Sequence, residues 1–475
     1  MTTFFYIALH VLGLLCVLPF SRKIPFWLLA STGFVWGLLL WMVGSLVSLF
    51  LGLSYTWMNM VFLLIPPIIV ALFSIVRTKT YRLAPQQWFA LLGSIAVVSI
   101  LSYAVTRQSY VYASADSFGY IYHGRGLAKS GLIPWTIDYF TKLGSFSSVI
   151  QMSSQLLPGD FVSGYPTILA VVLVTLLFVS SWELFRKKFS LVISTILAGA
   201  FVLILGSTIF LHHAFYIHNN LPAAILLFLA LYSFWNMLKT DAPEWIPLGI
   251  IALIGFSFTR IEGPLYSIVI LLLVISIKRQ PHSRILGMVI PYTILTLAWH
   301  IFLIKAVTHN EQLSQTNLLL IISALAGLAM LALISSKITV LMDLLPELVI
   351  SSLVFALILA VIIEPDHMIT SLTHFWQNLS NVYFWGWSWF VVLASLPFII
   401  MDNQDHPENR MLVFVFISYV LVILLLSLAR IPYRLGETDS ANRLMVQILP
   451  VIIFAIASNA ENVKTWFSPK TKLAE

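Results

Sequence analysis

The amino-acid sequence predicts an all-α polytopic membrane protein, and three observations favour that fold class. Of the 475 residues, 60% are hydrophobic and only 9% are charged, whereas about a quarter of the residues in an average soluble domain are charged. No Asp, Glu, Lys or Arg occurs between Lys23 and Arg77 or between Lys188 and Lys239, so each gap has room for two spans of roughly 20 residues. The alternating pattern of a membrane β-barrel is not seen, and helices are the remaining structures that satisfy their own backbone in lipid.

Fifteen apolar segments are predicted to be helices, and about 13 to 15 of them to cross the membrane. They lie at about 4–20, 26–51, 56–76, 88–105, 163–182, 190–211, 219–238, 246–259, 263–277, 286–305, 315–335, 343–363, 382–400, 411–429 and 444–459. We interpret 1–475 as a single transmembrane domain, with N-terminal helices in 1–105 and the remaining bundle in 163–475. The loop 106–162 between them is too long for a simple connection, which predicts a functional segment.

The distribution of basic residues assigns the two faces of the membrane. With the N-terminus outside, 17 of the 26 Lys and Arg residues fall in inner turns and the C-terminal tail, and 9 fall outside. This asymmetry is the one that the positive-inside rule describes, so the net charge of +7 indicates topology and gives no reason to expect nucleic-acid binding. We predict a cytoplasmic (inner) membrane protein with the N-terminus outside, the C-terminus inside and the long loop on the outer face.

The stretch from Ser114 to Gly131 is the polar part of this outer loop and contains Asp116, His123 and Arg125. Asp116 has two interpretations. It is a good residue for capping the helix that follows, and it is also a carboxylate at the membrane surface that can accept a proton from an acceptor hydroxyl.

Two further outer segments carry apolar and aromatic residues. The apolar pattern from Phe146 to Leu157 predicts a helix in the membrane interface or, as an alternative, a helix packed on the protein. Near 364–381 lies an aromatic cluster that an interfacial belt explains better than a sugar-stacking surface. Its members are Trp376, Tyr383, Trp385, Trp387 and Trp389.

Arginines are scarce on the predicted outer face, and four of them occur in two motifs outside the long loop. Arg260 lies in a motif that ends a hydrophobic stretch after about 14 residues, and it either pairs with Glu262 at a turn or binds an anion. Arg430, Arg434 and Arg443 lie between the last two predicted helices. A guanidinium can donate two hydrogen bonds to one phosphate, which favours phosphate recognition by at least one of them.

Each motif also has an ordinary structural interpretation. Glu437 and Asp439 provide the late arginines with alternative salt-bridge partners, and residues 438–440 are typical of a helix cap. The histidines at 212, 213 and 218 lack the Cys or carboxylate spacing of a metal site. The sequence therefore predicts no cofactor, and a divalent metal is not supported.

In this order, the motifs resemble those of the GT-C superfamily of integral-membrane glycosyltransferases. The family has an outer-loop acid followed by an aromatic and small-residue helix that ends in Gly. The similar positions here are Asp116-Ser117, Tyr120, Ala128 and Gly131, then Gly164-Tyr165-Pro166, then Thr259-Arg260-Ile261-Glu262-Gly263, and finally Arg443 through Pro450. Ser117 replaces a second acid found in metal-dependent members, and Asn219-Asn220 stand where many members have an acidic residue.

The resemblance implies that the protein moves a sugar from a polyprenyl-phosphate donor to a glycan, lipid or protein acceptor on the outer face, with inversion. Asp116 would be the catalytic base, and membrane lipids are the other expected partners. The predicted substrate- and phosphate-binding residues are Tyr120, His123, Arg125, Arg260, Glu262, Arg430, Arg434 and Arg443. The alternatives are a transporter or flippase of a lipid-linked saccharide, an O-antigen polymerase or ligase that relies on the late arginines, and a non-catalytic scaffold.

Overall fold

The computed structural model describes residues 1–107, 111, 114–133, 135–136, 144–157, 162–260, 262–278, 280–306, 315–401, 406–429 and 431–460. Within these ranges the regular structure is helical and contains no strand, which confirms the all-α prediction. A helix occurs at each of the fifteen predicted positions.

The helices are numbered here in chain order. The first ten are α1 Thr2–Val17, α2 Phe26–Phe50, α3 Trp57–Thr78, α4 Pro85–Arg107, α5 Ala115–Ser130, α6 Phe146–Gln151, α7 Tyr165–Arg186, α8 Leu191–Leu203, α9 Thr208–Phe215 and α10 Asn220–Thr240. The others are α11 Ile246–Thr259, α12 Gly263–Ser276, α13 His282–Ala306, α14 Gln315–Ile334, α15 Thr339–Ile363, α16 Pro365–Leu379, α17 Val382–Trp385, α18 Ser388–Met401, α19 Pro407–Leu426 and α20 Ser440–Ala460.

Among the described residues, ten helices are long and apolar enough to cross a membrane, or eleven if α8 and α9 count as one bent span. The chain is therefore a multi-pass integral membrane protein. Four more helices, namely α11, α12, α14 and α18, are apolar over only 10–17 residues. They account for the difference from the predicted number of spans, because the sequence pattern detects apolar character more reliably than helix length.

The predicted helix 190–211 is wrong in one respect, because the structure breaks it into α8 and α9, which are bent by 80°. The break spans residues 204–207 and contains Gly206, and the hydroxyl of Ser207 accepts the backbone N–H of Phe210 at 3.2 Å. This hydrogen bond caps a new helix at that point. The bend directs the chain after α9 towards the start of α10.

The helices α10 and α20 form the centre of the bundle, where they pack against each other. In their most apolar windows 94% and 89% of residues are buried, whereas the corresponding share is 11% in α4 and α15. The peripheral helices therefore face lipid, and α10 and α20 are enclosed by protein. As a result, polar side chains at their N-terminal ends are held in a protein environment.

The helix α6 is buried along its whole length, including Ser147, Ser148 and Gln151. The segment thus adopts the packed alternative, and an interfacial position for it is wrong. Its attachment begins at Ser145, whose backbone N–H and hydroxyl both donate to the carbonyl of Phe258, at 3.1 and 3.0 Å. These bonds fix the long loop to the end of α11.

The aromatic cluster divides into two groups. Trp376, Tyr383 and Trp387 are exposed, as expected for a membrane-interface belt. Trp385 and Trp389 are buried, so the belt interpretation is wrong for them. The indole N–H of Trp385 donates to Asn442 Oδ1 at 3.0 Å and ties α17 to the start of α20.

Candidate functional site

The predicted catalytic residue, Asp116, lies in the first turn of α5. The helix-cap interpretation of this residue is wrong, because Ser114 is the N-cap and its Oγ accepts the backbone N–H of Ser117 at 3.1 Å. Since Ser114 satisfies the helix end, the Asp116 carboxylate is available to other partners. It is about one-third exposed.

Two side chains from distant parts of the chain meet this carboxylate. Arg443 Nη1, in the first turn of α20, lies 2.6 Å from Asp116 Oδ2 and forms an ion pair across 327 residues of sequence. The hydroxyl of Tyr216, between α9 and α10, donates to the same oxygen at 2.7 Å. The hydrogen bonds described at this carboxylate therefore converge on Oδ2.

Burial raises the pKa of Tyr216 to about 12, and the hydrogen bond to Asp116 adds to that effect. The phenol consequently stays protonated at neutral pH and remains a hydrogen-bond donor. A neutral donor on one carboxylate oxygen restricts how Asp116 can turn without removing its charge.

Arg443 also faces His218, whose Nε2 is 3.5 Å from Nη1. The Nδ1 atom of His218 accepts the backbone N–H of Asn220 at 3.2 Å. Burial, followed by the charges of Arg443 and Arg260, holds the pKa of His218 well below its usual range, so the ring is neutral at pH 7. A neutral imidazole that accepts at Nδ1 carries its proton on Nε2.

This tautomer places two hydrogen-bond donors side by side, Nε2–H of His218 and the guanidinium of Arg443. In addition, Nε of Arg443 is buried and has no hydrogen-bond partner among the described residues. Buried donors of this kind are uncommon and normally find an acceptor. An acceptor that satisfies them would be an anion next to Asp116.

Arg260 occupies the neighbouring turn between α11 and α12, with its side chain only 10% exposed. Its Nε and Nη2 lie 3.0 and 2.9 Å from Glu262 Oε1, so the structure contains the ion pair of the structural interpretation. Nη1 donates to Asn220 Oδ1 at 2.8 Å. The same oxygen accepts Nε2 of Gln447, in α20, at 3.1 Å.

Asn220 is thus the residue that connects Arg260 with the rest of the site. It is fully buried as the first residue of α10. Its Nδ2 lies 3.1 Å from His213 Nε2, and its backbone N–H reaches His218. In the sequence, Asn220 is distinguished only as a departure from an acidic family position, so this role could not be predicted.

Tyr120 and Asn219 support the site through contacts with its residues. Tyr120 is fully buried, and its ring contacts His218 edge-on with centroids 5.4 Å apart. Its hydroxyl accepts from Asn219 Nδ2 at 3.4 Å, and Asn219 Oδ1 accepts the backbone N–H of Ser147 at 2.8 Å. Tyr120 is predicted to bind substrate, and its contacts in the structure are those of a supporting residue.

Three other predicted binding residues are not brought into these contacts. The His123 ring is buried and donates from Nε2 to the carbonyl of Thr136 at 2.6 Å, in the turn that follows α5. Arg125 and Arg434 have exposed side chains. Arg430 lies outside the described residues.

The acidic residues of the late loop have partners other than Arg443. Asp439 caps α20, since its carboxylate accepts the backbone N–H groups of Ala441 and Arg434 at 2.8 and 3.0 Å. This confirms the predicted helix cap. Glu437 contacts Nδ1 of His212 in α9. The acid that pairs with Arg443 is therefore Asp116.

Two observations complete the geometry of the site. Among the described residues, no group of three or more His, Cys, Asp or Glu is arranged to hold a metal ion. An apolar groove of about 610 Å³, lined by α1, α2, α11 and α13, extends to Phe258, two residues before Arg260.

Comparison of the chain with protein-family models, curated proteins and solved structures finds no match.

Proposed function

We propose that this protein is a membrane glycosyltransferase that moves a sugar from a polyprenyl-phosphate donor to an acceptor hydroxyl. One observation carries the proposal: Asp116 and Arg443, the predicted base and a predicted phosphate ligand, meet at 2.6 Å although the sequence separates them by 327 residues. A carboxylate beside an arginine with unused donors is what transfer from a phosphate-linked sugar requires.

In the proposed reaction Asp116 Oδ1 takes the proton of the acceptor hydroxyl. The acceptor oxygen then attacks the anomeric carbon from the face opposite the phosphate. The bond between the anomeric carbon and the phosphate oxygen breaks, and its electron pair leaves with the phosphate. The products are an inverted glycoside, a protonated Asp116 and polyprenyl phosphate.

Arg443 and His218 supply the donors for the leaving phosphate. The charge on the phosphate grows as the bond breaks, so a cation fixed at that position stabilises the transition state more than the bound donor. The neutral Nε2–H of His218 adds a hydrogen bond without placing a second positive charge beside Asp116. Arg260, which is held by Glu262 and Asn220, acts as a positioning residue for this pair.

The apolar groove supports a lipid-linked donor over a soluble one. Phe258, two residues before Arg260, is one of its lining residues, and three of the helices that line it, α1, α2 and α13, are long enough to cross the membrane. A long isoprenoid chain in the groove would leave its phosphate near the polar turn. A soluble sugar nucleotide would make no use of such a groove.

Transfer is tested by placing the protein in lipid vesicles with polyprenyl-phosphate hexoses and a glycolipid extract as acceptor, and measuring the release of polyprenyl phosphate. Asp116→Asn should reduce release by about 100-fold or more, the usual contribution of a general base. The matched control is Asp366→Asn, which alters an exposed acid in the first turn of α16 and should leave the rate unchanged.

Two results would overturn the proposal. One is transfer by Asp116→Asn at the parental rate, which would favour a ligase-like enzyme that relies on arginine alone. The other is the failure of the folded parent protein to release polyprenyl phosphate from any of the hexose donors.

A further inference from the structure

A second polar cavity lies at the far end of two helices that begin at the candidate site. Helices α7 and α10 start near that site and end at Arg186 and Thr240, about 30 Å away at 1.5 Å per residue. Between these ends is a cavity of about 380 Å³ that Phe454 of α20 also lines. We call it the basic pocket, and it opens on the membrane face opposite Asp116.

The basic pocket is lined by Arg186, Lys187 and Lys239, together with Glu183. Three bases and one acid give it a net charge of +2 at pH 7. Trp235 forms an aromatic wall, with the Lys239 ammonium 4.3 Å from its ring centroid. Cationic groups against an aromatic wall suit a ligand with an anionic group joined to an apolar body.

A second apolar groove, of about 650 Å³, lies between α7 and α8. Val174 and Phe178 line the groove, while Trp182 and Arg186 line the basic pocket. These four residues are spaced by four along α7, so they form one stripe on the helix surface. Trp182 also links the two spaces directly, because its indole N–H donates to Thr195, which lines the groove, at 3.3 Å.

We propose that the basic pocket and the groove together form a binding site for an anionic glycerophospholipid. Its phosphate binds to Arg186, Lys187 and Lys239, and an acyl chain lies along Phe178 and Val174 towards the membrane centre. Basic pockets between membrane helices commonly bind anionic headgroups, and guanidinium forks phosphate oxygens with two donors. The site is separate from Asp116 and does not depend on the reaction proposed above.

A lipid fits these features better than free phosphate. Free phosphate uses only the three cations, which Glu183 partly offsets, and it leaves the groove empty. A lipid occupies the basic pocket with its headgroup and the groove between α7 and α8 with an acyl chain. Each Lys or Arg near a membrane surface contributes about a fivefold gain in binding of an anionic lipid, so the three together should contribute on the order of 100-fold.

The headgroup contacts are tested by titrating delipidated, purified protein with phosphatidylglycerol and measuring bound lipid by native mass spectrometry. The triple variant Arg186→Gln, Lys187→Gln and Lys239→Gln should bind about 100-fold more weakly. The matched control, Arg77→Gln, Arg82→Gln and Lys337→Gln, removes three bases elsewhere on the same predicted face and should bind like the parent. An equal loss of phosphatidylglycerol binding in both triple variants, or no loss in either, would overturn the proposal.

Two further measurements keep the test independent of folding. A charge-conserving triple, Arg186→Lys, Lys187→Arg and Lys239→Arg, should retain binding. If the neutral triple does not fold, the single variants at the exposed Arg186 and Lys187 replace it, and each should weaken binding roughly fivefold. Unchanged binding in both single variants would refute the headgroup contacts.

The chain contact is tested by Gly199→Phe, since Gly199 lines the groove and a side chain there meets no atom within 4 Å. This variant should weaken phosphatidylglycerol binding several-fold. Gly93→Phe, at an equally open position in α4, is the control and should bind phosphatidylglycerol like the parent. Inorganic phosphate and phosphatidylcholine serve as competitors. Displacement of phosphatidylglycerol by either one at equal concentration, or normal binding to Gly199→Phe, would contradict a site for anionic lipid.

Discussion

Replacing Asn220 with Ala would remove the side chain that joins the two polar turns of the candidate site. The amide of Asn220 is buried and has three side-chain contacts in the structure: Arg260 at 2.8 Å and Gln447 at 3.1 Å on Oδ1, and His213 at 3.1 Å on Nδ2. In Asn220→Ala, Arg260 and Gln447 lose their hydrogen-bond acceptor and His213 loses its donor, while all three side chains stay inside the protein. Each such loss costs about 1–3 kcal/mol.

Three such losses sum to about 3–9 kcal/mol. The lower part of that range, about 3–6 kcal/mol, applies because Arg260 keeps Glu262 as a partner and water can enter the space. This is a large part of a typical unfolding free energy of about 5–15 kcal/mol. With an unfolding entropy of roughly 2 cal/mol/K per residue, 475 residues give about 1 kcal/mol per °C. The midpoint of thermal unfolding should therefore fall by about 3–6 °C.

The assay is thermal unfolding of the purified protein in detergent, followed by intrinsic tryptophan fluorescence. Asn220→Asp is the control, because it keeps Oδ1 as an acceptor for Arg260 and Gln447. It replaces the donor to His213 with a carboxylate oxygen, and the Arg260 guanidinium at 2.8 Å offsets the added charge. It should retain most of the stability. A midpoint for Asn220→Ala within 1 °C of the parent, or an equal loss in Asn220→Asp, would show that Oδ1 does not connect the two turns.

Three other substitutions test the surrounding structure. Gly144 has a φ of +82°, and a Cβ there would lie 2.1 Å from the Thr259 carbonyl oxygen. Gly144→Ala should therefore lower the unfolding midpoint more than Gly131→Ala, since Gly131 has a φ of +68° but open space around a Cβ. Equal losses would mean that the contact with Thr259 is unimportant. Trp385→Phe removes a buried hydrogen bond to α20 and should cost about 1–2 kcal/mol, and a parental midpoint would argue against that bond. His218 has a lowered pKa in the folded protein, so the unfolded chain takes up a proton more readily and stability is lost as pH falls below the ordinary value of 6.5. The drop in midpoint between pH 7 and pH 5 should be smaller in His218→Gln, and an unchanged drop would contradict a neutral, buried ring.

The positions of the helices could be predicted from the sequence because charge-free apolar segments must be helical in lipid. The number of spans could not, since it depends on helix length and bending. The break at Ser207 is an example: the sequence shows a continuous apolar segment, and only the side-chain cap turns it into two helices.

The site residues, too, could be predicted only in part from the sequence. Asp116 and Arg443 could be selected from polar interruptions on one predicted face, but sequence does not reveal which arginine meets the acid. Arg434 and Arg443 look alike in the sequence. They differ because Arg434 lies in an exposed loop, whereas Arg443 lies inside the first turn of α20, a helix enclosed by protein.

The buried amides were the least predictable part of the site. Asn219 and Asn220 carry no charge and belong to no chemical motif in the sequence. Their importance comes from their position at the start of α10, where several helix ends meet. Such residues are found only once the packing of α5, α6, α11 and α20 around that point is known.

Binding of a lipid phosphate to Arg443 beside Asp116 is best tested by the affinity for polyprenyl phosphate itself, which is independent of the sugar and the acceptor. Arg443→Gln should weaken binding by about 10- to 100-fold through the loss of charged hydrogen bonds. Asp116→Asn should bind at least as tightly as the parent, because a like charge is removed, and the exposed Arg434→Gln should match the parent. Parental affinity in Arg443→Gln, or equal losses in Arg443→Gln and Arg434→Gln, would mean that Arg443 is not the ligand of the lipid phosphate.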